Sequence, residues 1–212
     1  MDAQRANIYS ACDSAIRVMN REILEAFGRL KMAKWEKVNI IRTVVTVYRD
    51  TAQVARKRYY EIAYEVYALG LMLCDIDAKQ AHKMAEKRIT AKWVDDILEQ
   101  TDFVTLYRFN SEAERKAYRL AETLEVTPDK NRAIEKALKE WSRQLGQYAI
   151  TFTDEALIQA YADAGVKTIR WITAADERTC HACAEYHNKE FLITEVPPKP
   201  HYGCRCILAP VK

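Results

Sequence analysis

The residues of this chain best suited to chemistry crowd towards its carboxyl side. The stretch TCHACAEYH (Thr179–His187) holds Cys180 and Cys183 as a C-x2-C pair with His181 and His187 beside them, and PHYGCRC (Pro200–Cys206) adds His201, Cys204 and Cys206. Thiolate and imidazole are the donors that tetrahedral zinc takes at about 2.0–2.3 Å, and a C-x2-C turn offers two thiolates to one ion without strain. Two short chelating pairs separated by a loop of about twenty residues have the spacing of a structural zinc site.

Five donors compete for four positions. Cys180, Cys183, His201 and Cys204 are the first choice, because His201-x2-Cys204 repeats the spacing of the first pair; the all-cysteine set that uses Cys206 stands close behind, and His181 and His187 lie further off. Disulfides and unconnected core thiols are the bland alternatives. No apolar leader opens the sequence, which reads as a cytoplasmic product whose thiols stay reduced. A catalytic zinc is disfavoured, since such sites keep three protein ligands and an open position. The H-x-E with P-C-x-x-C of zinc deaminases is absent, as are H-E-x-x-H, the Walker A loop, G-x-G-x-x-G and G-x-S-x-G, so no enzyme is expected. YHNKEF shares only a His-Asn pair with HNH nucleases.

Two kinds of secondary structure carry this cluster. Apolar residues at Ile8, Cys12, Ile16, Met19, Ile23, Phe27 and Leu30 step by three and four and predict an amphipathic helix over 3–30. Similar stripes predict helix over 34–73, as one piece or two, and over 77–99. SEAE (Ser111–Glu114) has the form of a capping box, Thr127 before Pro128 reads as an N-cap, and Thr153 or Asp154 opens a further helix that Gly165 ends. Cys12 and Cys74 lie on apolar faces and read as small core residues. Beyond Gly165 the period changes to two: VKTIRWIT (166–173), KEFLI (189–193) and CILAPV (206–211) predict strands. The fold class is therefore mostly α with a small C-terminal α+β module, long amphipathic helices leading to a zinc-stapled, strand-containing domain. A module of about forty residues buries too little apolar surface to hold itself, and a metal closes the loop instead. The expected division is a helical region at 1–126 and a domain at 127–212.

Composition limits the rest. Only five Gly and five Pro occur in 212 residues, a helical bias, and no apolar run is long enough to span a membrane. The net charge of +3 does not by itself imply nucleic acid, although residues 1–60 carry twelve Lys/Arg against six Asp/Glu, with RKRYY (Arg56–Tyr60) the densest cluster. A solvated helix face is favoured there over a phosphate-contacting patch.

WITAADERTCHAC (Trp171–Cys183) followed by PPKPHYGCRCIL (Pro197–Leu208) resembles the C-terminal domain of phage minor head proteins, the Mu F-like or phage head morphogenesis family. The likeness covers about residues 140–212. It implies a virion head component, in the host cytoplasm during assembly, that contacts the portal protein and the major capsid or scaffold protein without catalysis. Genomic DNA is a further expected partner, through the basic N-terminal third. Carried over, Cys180, Cys183, His201, Cys204 and Cys206 are the motif donors, and Trp171, Asp176 and Arg178 are structural motif residues. The Asp176 carboxylate is expected to accept backbone N–H bonds in the turn, and Arg178 either braces that turn or is a surface cation. The rival readings are a zinc-dependent nuclease or prophage toxin domain, and a zinc-containing DNA-binding regulator.

Overall fold

The computed structural model describes residues 2–35, 39–100, 108–173, 177, 179–201, 204 and 206–211. Among these the elements run α1 (Asp2–Lys31), α2 (Ile40–Leu73), α3 (Ala78–Arg88), α4 (Ala91–Leu98), α5 (Phe109–Val126), α6 (Lys130–Asp163), β1 (Thr168–Ile172), α7 (His181–Tyr186), β2 (Glu190–Leu192) and β3 (Ile207–Pro210). They form two compact units built from non-contiguous stretches, so α1, α2 and α6 each contribute to both.

One unit comprises Ala15–Tyr60 and Thr90–Leu145. Its core begins with the predicted stripe of α1: Met19, Ile23, Phe27 and Leu30 are fully buried. Phe27 meets Tyr48 edge-on with ring centroids 5.4 Å apart, and Phe109 stacks on Trp141 at 6.0 Å. The buried Trp141 indole still needs an acceptor, and Thr51 Oγ1 supplies it at 2.9 Å. Glu112 has no exposed surface; a two-pronged Arg115 at 2.7 Å and Lys116 at 3.5 Å balance its charge.

The other unit comprises Met1–Ser14, Glu61–Ile89 and Gly146–Lys212. Helices α2 and α6 approach closely at Gly70, where an added Cβ would lie 2.9 Å from that of Ala160. Asp163 at the end of α6 accepts from Tyr67 at 2.6 Å, from Arg88 Nε at 2.7 Å and from Gln159 at 3.0 Å. Helix α6 then stops as Gly165 predicts: its φ is +82°, Val166 N–H reaches Tyr161 C=O at 2.9 Å and Gly165 N–H reaches Ala162 C=O at 3.0 Å. The chain turns into an antiparallel sheet of order β2-β1-β3. Ile169 and Trp171 face inwards and have no exposed surface, while Arg170 faces out and pairs with Glu190 at 2.6 Å, opposite it in register. Trp171 lies opposite Leu208, and Tyr161 of α6 donates to the Leu208 carbonyl at 3.1 Å, tying β3 to the helix.

The three strands stand where the sequence puts them, each trimmed by one or two residues at either end. Several helix boundaries differ. The segment 77–99 is two helices, because the Thr90 hydroxyl accepts from Trp93 N–H at 3.1 Å and starts α4 anew. No capping box forms at Ser111, which lies inside α5; that helix starts at Phe109 after Arg108, with no side-chain cap. Thr127 closes α5 rather than opening α6, and the Asp129 carboxylate caps α6 through Arg132 N–H at 3.0 Å. No helix begins at Thr153 or Asp154, since α6 runs through both; the Thr153 hydroxyl donates to the Ala149 carbonyl at 2.9 Å and lies 3.3 Å from the buried Cys12 sulfur. Cys74, expected in the core, is half-buried.

Candidate metal centre

The sulfur cluster is assembled by three elements. Cys180 caps α7 with extended backbone (φ −72°, ψ 160°), and its sulfur accepts from Cys183 N–H at 3.4 Å. That cap turns the Cys183 side chain inwards, where it is almost wholly buried. After β2 and the proline-rich approach, His201 and the two residues leading into β3, Cys204 and Cys206, close on it from the other side. Cys183 Sγ stands 3.5 Å from His201 Nε2 and 3.6 Å from Cys204 Sγ.

The result is two overlapping triads sharing Cys183. The donor atoms of Cys180, Cys183 and His201 lie within 4.8 Å of one another, and so do those of Cys183, Cys204 and Cys206. Donors around a tetrahedral ion with metal–sulfur bonds of about 2.3 Å stand roughly 3.8 Å apart, so the observed separations fit. Either triad could hold a metal. The acid–base state agrees with that chemistry. Burial, then the hydrogen bonds its S–H donates to neighbouring sulfurs, pushes the Cys183 thiol far up. Burial likewise raises Cys204. Cys180 is drawn down, first by the Cys183 N–H and also by His201. Buried thiols this close keep their protons unless a cation compensates their charge.

The same module holds an aromatic group. Trp171 is fully buried, edge-on to Tyr186 at 5.2 Å and to Phe191 at 6.4 Å, with Tyr186 and Phe191 5.7 Å apart. The structure also brings in residues that the sequence reading missed. Lys199, with only 4% of its side chain exposed, holds its ammonium 4.7 Å above the Trp171 ring, 3.4 Å from Asp154 of α6, and donates to the Cys206 carbonyl. Burial raises the Asp154 carboxyl to about 6, and Lys199 opposes that rise. The available signal was a lysine between prolines in PPKPH, where a solvated side chain is the usual expectation.

His181 is 90% exposed and pairs with Glu185 at 3.3 Å, outside the cluster. His187 is turned to Thr173, whose N–H and hydroxyl lie 3.2 and 2.9 Å from its Nδ1. Asp176 and Arg178 lie outside the described residues. No helix among the described residues is long and apolar enough to cross a membrane.

A family model described as phage Mu protein F like protein matches residues 78–209, from α3 to β3, well over half of the chain and the whole cysteine and histidine module. No curated protein and no solved structure matches.

Proposed function

The chain belongs to the phage Mu protein F like family, and from that premise we propose that it is a minor head protein of a tailed phage or prophage, acting in head assembly at the portal vertex. Membership points to phage head morphogenesis and to a place in the virion among other head components. The finer assignment supposes that the protein works by recognition, with residues 127–212 as the head-morphogenesis region and residues 1–126 as the helical region. A zinc ion in the cluster would cross-link α7 to the lead-in of β3, using four donors from Cys180, Cys183, His201, Cys204 and Cys206, and would keep a small module rigid enough to dock. The observation that carries the reading is the family match spanning this cluster.

Co-expression with the portal protein, followed by sedimentation of portal rings, tests it. The chain is expected to co-sediment with the rings; free chain in every gradient overturns the portal assignment. Contact with genomic DNA is the less supported partner, since two of the three cations in RKRYY are already matched: Arg56 pairs with Asp95 at 3.1 Å and Arg58 with Glu22 at 2.6 Å. Exposed Arg17, Arg21, Arg42 and Arg49 remain for such a role. Duplex binding through them would weaken steeply from low to moderate salt, and a flat titration excludes it.

A further inference from the structure

The unit formed by Ala15–Tyr60 and Thr90–Leu145, which contains none of the cysteines, has a groove of about 380 Å³. Its walls are positions 116, 119, 120 and 123 of α5 and 133, 136, 137 and 140 of α6, the same i, i+3, i+4, i+7 face on each helix, and its floor is Tyr48. Three residues connect α5 to α6, so the helices run antiparallel. The groove exists because the α6 wall is built from Ala133 and Ala137, too small to fill the space opposite Leu120 and Thr123. Seven residues of helix make it roughly 10 Å long.

Its rim is unbalanced in charge. Lys116, Arg119 and Lys136 face one carboxylate, Glu140. Lys116 is partly committed to the buried Glu112 at 3.5 Å. Arg119 and Lys136 are exposed, and neither side chain has an ion pair among the described residues. Leu120 and the Tyr48 ring, which also brings a phenol hydroxyl, are buried there. Two uncommitted cations beside Leu120, Ala133, Ala137 and that ring call for an anion on a hydrocarbon stem. A free phosphate would gain nothing from the floor, and its second charge would meet Glu140. A DNA backbone would meet the rim cations without reaching the trough.

We propose that the α5–α6 groove is a docking site for an acidic peptide segment of a partner protein, one glutamate laying its methylenes along Leu120, Ala133 and Ala137 and its carboxylate between Arg119 and Lys136. It is separate from the cysteine cluster and independent of metal, so its failure would leave the head-protein reading untouched.

The probe is a capped tetrapeptide carrying one glutamate, titrated into methyl-labelled full-length protein and followed by NMR. The Leu120, Ala133 and Ala137 methyl shifts should move and saturate, and the glutamine counterpart should bind at least tenfold more weakly. Arg119→Gln combined with Lys136→Gln, both solvent-facing and so neutral to folding, should cost at least tenfold. Ala133→Leu should block the trough with every charge in place. No saturable shift, equal affinity for the glutamine peptide, or undiminished binding by these variants overturns the proposal. So does inorganic phosphate moving the same methyls at the same concentration, or a DNA duplex displacing the peptide.

Discussion

Cys183 is the shared corner of both triads, and its removal should have a consequence that removal of no other donor has. Cys183→Ser leaves His201 without its neighbour at 3.5 Å and Cys204 without its neighbour at 3.6 Å, and neither triad survives. Four donors remain after any single loss, so the triads make the difference: Cys180→Ser keeps Cys183, Cys204 and Cys206 together with His201 beside them, and Cys206→Ser keeps Cys180, Cys183 and His201 together with Cys204 beside them. Structural zinc in finger peptides contributes about 10–16 kcal/mol of apparent binding free energy. Spread over four donors this is roughly 3 kcal/mol each, about a hundredfold in affinity. Competition with a chelator of known affinity should therefore show zinc bound about a hundredfold more weakly by Cys183→Ser than by wild type, Cys180→Ser or Cys206→Ser. Stripping the metal should lower the melting temperature of the latter three by more than that of Cys183→Ser, because a bound metal adds its binding free energy to folding. Cys12→Ser, whose sulfur contacts Thr153 far from the cluster in sequence, is the control and should bind zinc as wild type does. The reasoning is refuted if Cys183→Ser binds zinc as tightly as wild type, or if wild type binds none when zinc is supplied.

Three further outcomes follow from packing and charge. Gly70→Val should destabilise by about 1–3 kcal/mol in urea unfolding, since its side chain would press on Ala160; Ala160→Gly in the same chain should recover part of the loss. Thr51→Val removes the acceptor of the buried Trp141 N–H and should cost about 1–3 kcal/mol, with a shift in indole fluorescence. Lys199→Met strands the Asp154 carboxyl and should cost about 3–5 kcal/mol at neutral pH. That deficit should grow as pH rises through and above about 6, because the folded carboxyl holds its proton to higher pH than the unfolded one and must ionise without a partner. A deficit independent of pH would mean that Asp154 finds another counter-charge.

Local chemistry accounts for much of the helical and strand pattern directly from the residues. The three- and four-residue spacing of Met19, Ile23, Phe27 and Leu30 sets the buried face of α1, since helical period and burial are fixed by the same few residues. Two-residue alternation does the same for Ile169 and Trp171 in β1. The C-x2-C spacing brings Cys180 and Cys183 together at the start of α7, and Gly165 stops α6 because only the turn at positive φ satisfies its last carbonyls. Caps are a different matter. Ser111, Thr127 and Thr153 each offered a plausible helix start worth only about 1 kcal/mol, and burial of the surrounding faces outweighed it, running α6 straight through Thr153. Folding in three dimensions is what brings the second donor pair to the first at Cys183, points His181 to Glu185 and His187 to Thr173, and takes Lys199 out of the solvent to Asp154 and the Trp171 ring. Those contacts join residues 14 to 45 positions apart or select one rotamer among several, and β1–β3 pairing fixes them through distances that no local pattern encodes.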